Sequence, residues 1–218
     1  MRFCCMSQSL TILLLLSFVS QSFSQSEWEL LKKKESILVY TKKSEDSKYK
    51  EVKIEASIQT TMTELVAALE DVDAHKDWVP HTIDSYIVEK LHEHKFYYYV
   101  SSDFPFPSND RDLVILYERT QNPNTKVVIT KSEAVPDHME TFKKFVRIPV
   151  FSSTYILEPK ANGMIDIEYL LKVSPGGKIP AWLINMAITK GPIQTMESLA
   201  NLLESGKYGN IDVAGVVD

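Results

Sequence analysis

From Pro80 onward the sequence is a run of short stretches rich in β-branched and aromatic residues, and it closes on a single long helical pattern. The stretches 83–91, 94–101, 112–119, 126–133, 142–158 and 163–173 read as strands. The strings "HEH", "FPFPSND", "QNPN", "AVPDH" and "PKANG" separate them as turns. Sequential strands joined by short turns favour an antiparallel sheet, so helical bundles and βαβ architectures are excluded for this half of the chain.

Before Pro80 the pattern is mixed. "YKEVKIEASI" (49–58) sets Val52, Ile54, Ala56 and Ile58 against charged or polar neighbours, the period of a half-buried strand, and "ILVYTKK" (37–43) precedes it. Glu27 to Lys34 reads as a short amphipathic helix carrying Trp28, Leu30 and Leu31. Thr61 or Thr63 can cap a helix through Glu70, followed by a shorter turn ending at "DWVP". The final helix spans roughly 180–204, with Pro180 near its first turn, where proline is tolerated. Gly191-Pro192 falls inside it and is expected to bend or break it, because Pro192 has no N–H to donate to Ile188. Its apolar residues form two stripes, with Leu183, Ala187 and Ile193 on one side and Ile184, Ile188 and Leu199 on another. A helix lying on a sheet needs only one stripe, so a second apolar space is expected beside the core.

The N-terminus has a different role. Arg2 precedes an apolar run from Leu10 to Val19, and Ser22 and Ser24 flank Phe23. A signal peptide carries an apolar stretch of about 7–15 residues, whereas a spanning helix needs about 20. Residues 1–24 therefore read as a signal peptide cleaved before Gln25, with an uncleaved anchor as the alternative, and the mature chain is exported, periplasmic or secreted. Both cysteines, Cys4 and Cys5, lie in the removed segment, and a chain of this length buries a core without disulfides. Residues 25–206 are expected to form one domain and 207–218 a flexible tail. Of 24 basic residues only Arg2 is removed, so 23 remain against 29 acidic ones, a balance that opposes nucleic-acid partners.

The catalytic inventory is poor. His92-Glu93-His94 places two imidazoles on one strand face, but at an apparent turn with no third ligand nearby, so no metal is expected. There is no nucleophile elbow, and the mature chain has no thiol. No cofactor is expected. "KFYYYV" (95–100) puts Phe96, Tyr98 and Val100 on one face, which suits either an ordinary core or a cavity for a partly polar ligand. The two Phe-Pro steps at Phe104-Pro105 and Phe106-Pro107 place large rings in a loop, where they either tuck into a core or cover an opening.

The strings "WELLKKKESILVYTKK", "HKDWVP", "FPFPSNDRDLV", "FVRIPVFSSTYILEP" and "GGKIPAWLINMAITKGPIQTMESLANLLE", in that order, resemble the START (StAR-related lipid-transfer) domain family across residues 27–205. The resemblance implies an α+β helix-grip fold, a curved antiparallel sheet wrapped around the C-terminal helix and enclosing an apolar cavity. It implies that Phe104 and Phe106 are lid residues, that Trp78 is structural, and that Arg111 and Asp112 are structural ion-pair partners. It places Tyr98, Tyr117, Val150, Ile184, Ile188, Thr195 and Leu199 around a lipid. Sterol-carrying members often hold a charged pair where this chain has Tyr98 and Tyr117, a polar but uncharged pair. The implied function is an exported monomeric lipid-binding or lipid-transfer protein that holds one sterol, phospholipid or fatty-acid-like lipid and touches membranes transiently. The alternatives are a cyclase- or aromatase-like enzyme of the same superfamily, with Asp166, Glu168 or His81 as its titratable group, and a lipid-sensing regulatory module. Burying several hundred Å² of lipid at about 25 cal/mol per Å² gains on the order of 10 kcal/mol before ordering costs.

Overall fold

The computed structural model describes residues 28–45, 47–179 and 181–218, without the side chains of 181, 182, 185, 186, 188 and 189. The expected signal peptide and the Ile188 side chain lie outside the described residues.

The chain folds as β1 (Glu29–Lys34), β2 (Ile37–Lys43), β3 (Lys50–Gln59), α1 (Met62–Glu70) and α2 (His75–Trp78). There follow β4 (Thr82–His92), β5 (Lys95–Ser102), β6 (Arg111–Gln121), β7 (Val128–Ala134), β8 (Val146–Arg147), β9 (Val150–Pro159), β10 (Met164–Ser174) and α3 (Ala181–Glu204). Nine strands form one antiparallel sheet in the order β1-β2-β3-β10-β9-β7-β6-β5-β4, with β8 paired parallel to the start of β6. The sheet grips α3, as the helix-grip expectation requires.

Local chemistry explains most of these elements. In β3, Val52, Ile54, Ala56 and Ile58 are all buried and alternate with less buried polar residues. Thr61 caps α1 through a capping box: its side chain accepts from Glu64 N at 3.2 Å, and the Glu64 carboxylate accepts from Thr61 N at 3.2 Å.

Four expectations change. Glu29–Lys34 is a strand and not a helix. A helix this short is marginal alone, whereas a turn with Glu35 at φ 52° folds the segment back to pair with Ile37–Thr41. The stretch 142–158 is not one strand, because Pro149 separates β8 from β9. Of the bend or break expected at Gly191-Pro192, the break does not occur: α3 is continuous through Pro192, and the Thr195 hydroxyl donates to the Gly191 carbonyl at 3.0 Å. The segment 207–218 is not a free tail. Tyr208 is 3 % exposed and its hydroxyl donates to Asp71 at 2.8 Å; Val217 N donates to Gln121 at 2.9 Å; the Asp218 carboxylate accepts from Thr63 N at 2.9 Å.

α3 changes surroundings along its length, with cavity and core residues overlapping between Gly191 and Met196. Ile193, Met196, Leu199 and Leu203 pack in the main core with α1, β2 and β3. Residues earlier in the helix, Leu183, Ile184, Ala187, Gly191 and Pro192, cover a separate internal space.

Candidate functional site

Cross-strand register builds that space row by row. In one row Leu171, Ser153, Ser132, Tyr117 and Phe96 are successive partners from β10 to β5. The next row toward the closed end holds Tyr169, Tyr155 and Thr130, and Arg119 follows on β6. Toward the open end the rows become apolar: Val173 with Phe151, Ile115 with Tyr98, Leu113 with Val100. Period-two alternation sends all these side chains to one face. They enclose a cavity of about 400 Å³ under the first half of α3. Ligand pockets typically span about 300–1,000 Å³.

A buried network closes the far end. Arg119, 3 % exposed, donates from Nε to Glu70 Oε1 at 2.7 Å and from Nη2 to the Ala214 carbonyl at 2.9 Å. The Tyr117 hydroxyl donates to the same Glu70 oxygen at 3.0 Å. Glu70 comes from the end of α1 and Ala214 from the C-terminal segment, so three distant parts of the chain meet at this floor. Burial and the Glu70 carboxylate together push the Tyr117 hydroxyl well above its ordinary range.

The belt above the floor is polar and uncharged. Burial pushes Tyr98 up to about 12, partly offset by the Ser132 hydroxyl. Burial likewise raises Tyr155 and Tyr169, whose rings stack at 4.2 Å. His75 on α2 completes one wall, edge-on to Trp78 at 5.6 Å and to Tyr98 at 6.0 Å. Its Nε2 lies 3.0 Å from the Leu69 carbonyl and therefore carries the proton, and burial lowers its pKa, so the ring is held neutral. Lys50, near the open end, is the one Lys, Arg, Asp or Glu lining the cavity among the described residues.

The mouth is different. Phe104 lines the cavity, donates its backbone N–H to Asp110 at 3.0 Å and stacks over the Arg111 guanidinium at 4.5 Å. His81 Nδ1 meets Asp103 at 3.0 Å, with both side chains more than half exposed. Beside the Arg111 guanidinium, Gly177 and its neighbour Gly176 adopt φ +61° and +67°, a left-handed turn that glycine takes without strain and that leads into α3.

The structure therefore places Tyr98, Tyr117, Ile184, Thr195 and Phe104 on the cavity, with Trp78 buried in its wall. It corrects four others. Val150 is 45 % exposed, because Phe151, Ser153 and Tyr155 are the inward residues of β9 and Val150 has the opposite parity. Leu199, fully buried, belongs to the core below Thr195 and not to the cavity. Phe106 is 92 % exposed and stands off the mouth. Asp112 pairs with Arg147, from Nε at 2.9 Å and Nη2 at 3.0 Å, whereas Arg111 has no ion pair among the described residues and donates to the Asn109 carbonyl. Leu183 and Ala187, assigned from sequence to the core side of α3, line the cavity. Sequence reasoning passed over His75, Thr130, Ser132, Ser153, Tyr155 and Tyr169. The available signal was small polar residues and tyrosines at the inward parity of strands that otherwise bury apolar groups. His92 and His94 stack at 5.8 Å on the β4–β5 turn, and no group of three metal-ligating side chains forms among the described residues.

Comparison with known proteins adds the ancestry of this arrangement. The START domain profile matches residues 19–205. A solved STAR-related lipid transfer protein from Xanthomonas axonopodis is 30 % identical, with a TM-score of 0.75 over 81 % of this chain and 98 % of that one. An uncharacterised Pseudomonas aeruginosa protein is 28 % identical over 178 residues, 82 % of this chain and 87 % of that protein. The rat phosphatidylcholine transfer protein is 25 % identical over 171 residues, 76 % and 78 % of the two chains.

Proposed function

This chain belongs to the START domain family, whose class of function is lipid binding and transfer, and we propose that it is an exported carrier holding one lipid in the cavity. The observation that carries this reading is the cavity itself, an enclosed space of about 400 Å³ lined mainly by apolar and aromatic side chains and roofed by α3. Apolar burial drives uptake, at roughly 25 cal/mol per Å² of lipid surface removed from water. The relatives named for lipid transfer support a carrier over a catalyst. So does the cavity lining, which among the described residues includes His75, held neutral by burial, but no Asp or Glu side chain. Asp166 and Glu168, the acids considered from sequence, are absent from that lining, and Asp166 instead pairs with Ser57 and Lys160.

Exchange would begin when the chain, as a monomer, meets a membrane through the exposed Phe106 ring. The Phe104 loop and the Gly176-Gly177 turn would then yield, opening the space below α3. Export rests on the Arg2–Ser24 pattern.

Native mass spectrometry of the chain recovered from the exported fraction tests the reading. We expect an N-terminus at Gln25 and one lipid mass per chain. A chain still starting at Met1 contradicts cleaved export, and an empty chain that takes nothing from vesicles of the source membrane contradicts the carrier. Movement of lipid from donor to acceptor vesicles separates a carrier from a sensor, which would bind without transferring.

A further inference from the structure

The polar atoms of the cavity are unevenly distributed, and their distribution bears on which lipid the proposed carrier takes. Near the floor, Ser153, Ser132, Tyr117, Tyr169, Tyr155 and Thr130 occupy two adjacent rows, whereas the next rows toward the mouth are apolar apart from Tyr98. Polar lining returns only at the rim, with Thr82, Ser102, Tyr49 and Lys50. Ser132, one row deeper, acts on the Tyr98 hydroxyl and partly offsets the rise that burial causes. Ser153 acts in the same way on Tyr169. A hydroxyl can accept and donate at once, so each tyrosine can still donate to an occupant of the cavity. Tyr155 has no hydrogen-bond partner among the described residues. It sits deep in the molecule, yet part of its surface remains accessible because it faces the cavity. A buried hydroxyl without a partner costs about 1–3 kcal/mol, so an occupant that supplies the partner is favoured at this point.

Charge narrows the occupant further. No Arg, Asp or Glu lines the cavity among the described residues, and Lys50 lies two residues beyond Val52 toward the mouth, held by Thr41 and Glu29. Arg119 is close to the belt, but Glu70 already neutralises it and Tyr117 spends its proton on the same carboxylate. The tyrosine faces could accept a quaternary ammonium. The phosphate that accompanies it in a phospholipid would be buried with no cation, and an unpaired buried ion is strongly disfavoured. An ionised fatty acid meets the same penalty. A hydroxyl or carbonyl oxygen does not, and it can accept from two or three tyrosines at once.

The geometry points to an uncharged lipid seated head-inward, its hydroxyl or ester carbonyl accepting hydrogen bonds from Tyr155, Tyr169 and Tyr98, with its hydrocarbon toward the mouth under α3. This inference rests on the carrier reading and adds the ligand class to it. Acylglycerols and sterols both present this chemistry.

Binding of radiolabelled dioleoylglycerol, cholesterol and dioleoylphosphatidylcholine, each offered in vesicles, tests the inference with the full chain and with Tyr155→Phe. Either dioleoylglycerol or cholesterol should bind at least about tenfold more tightly than the phospholipid, and the better of the two identifies the source of the oxygen. Tyr155→Phe should weaken that ligand about fivefold without moving the melting temperature, and should leave phospholipid binding unchanged. Equal or tighter binding of phosphatidylcholine overturns the inference and leaves the carrier reading intact. So does a Tyr155→Phe variant that folds and binds the neutral lipid as well as the parent. Binding of none of the three overturns the carrier reading and this inference with it.

Discussion

The two ends of the cavity are built in opposite ways. At the floor, α1, β6 and the C-terminal segment meet at Arg119, which is 3 % exposed and has Glu70, Tyr117 and the Ala214 carbonyl around it. At the mouth, the loop after β5 leaves Phe106 92 % exposed and holds Phe104 by one backbone hydrogen bond and a ring–guanidinium stack. The floor is over-determined: each group has a partner from a different part of the chain, so no single fluctuation opens it. The mouth is held by a few contacts, several of them in water, where a hydrogen bond such as His81–Asp103 contributes about 1 kcal/mol. Recognition needs fixed groups and entry needs movable ones, and the fold keeps the two functions at opposite ends of one sheet.

That contrast makes unequal demands on substitutions at the two ends. The largest effect is expected for Glu70→Ala, which leaves the Arg119 guanidinium buried and unpaired. The expected loss is about 3–5 kcal/mol in urea unfolding. A loss below about 1 kcal/mol would show that the floor is not held as described. Next comes removal of residues 207–218, which takes away the Ala214 carbonyl, the Tyr208–Asp71 bond and the Asp218 contact with the start of α1. We expect a loss of about 2 kcal/mol or more, since bonds to charged groups contribute about 1.5–3 kcal/mol each. An unchanged midpoint would return the segment to the status of a free tail.

A smaller, pH-dependent effect sharpens the comparison at the wall between the two ends. Burial lowers the His75 pKa from 6.5 in the folded state, so the unfolded chain binds the proton more readily. Stability from His75 is therefore complete above pH 6.5 and falls as pH drops through the window below it, by at most about 1.4 kcal/mol per pH unit. Melting temperatures measured from pH 7.5 to 5.0 should decline in the parent and decline less in His75→Gln. Parallel curves would contradict the buried neutral ring. The smallest stability effect is expected at the mouth, where Phe106→Ser should change unfolding by less than about 0.5 kcal/mol while slowing lipid uptake from vesicles. Unchanged uptake would remove Phe106 from the membrane contact.

How much of this was legible in the sequence differs between the same two ends. Most strands of the sheet were readable because alternation such as Val52, Ile54, Ala56 and Ile58 is a local signal, and the start of α1 was narrowed to Thr61 or Thr63, of which Thr61 is the cap. Alternation put Tyr98 on one face with Phe96 and Val100, and the family resemblance then placed Tyr98 and Tyr117 inside, where both line the cavity. Val150 was misplaced by parity: on β9, one residue decides between the cavity face and the outer face, and no turn next to Pro149 fixes the count. The floor was not legible. Arg119, Gln121 and Thr63 lie about a hundred or more residues from their partners in the C-terminal segment, and that segment has no periodicity to reveal its docking. α3 misled for another reason. Its apolar residues were sorted by face, but the cavity ends part of the way along the helix, so Leu183 and Ile193 face different surroundings on what was taken as one stripe.

Filling the cavity tests the central claim most directly. Ser132 lies in the polar belt, 6 % exposed, and its side chain borders the open space. In Ser132→Trp the indole should occupy that space, so lipid binding should be lost while the melting temperature stays within a few degrees of the parent. The reference is Ala68→Trp, where a fully buried side chain in the close-packed core leaves no room and overpacking costs about 1–3 kcal/mol or more. If Ser132→Trp binds lipid as the parent does, or unfolds as readily as Ala68→Trp, the space beneath α3 is not the lipid site.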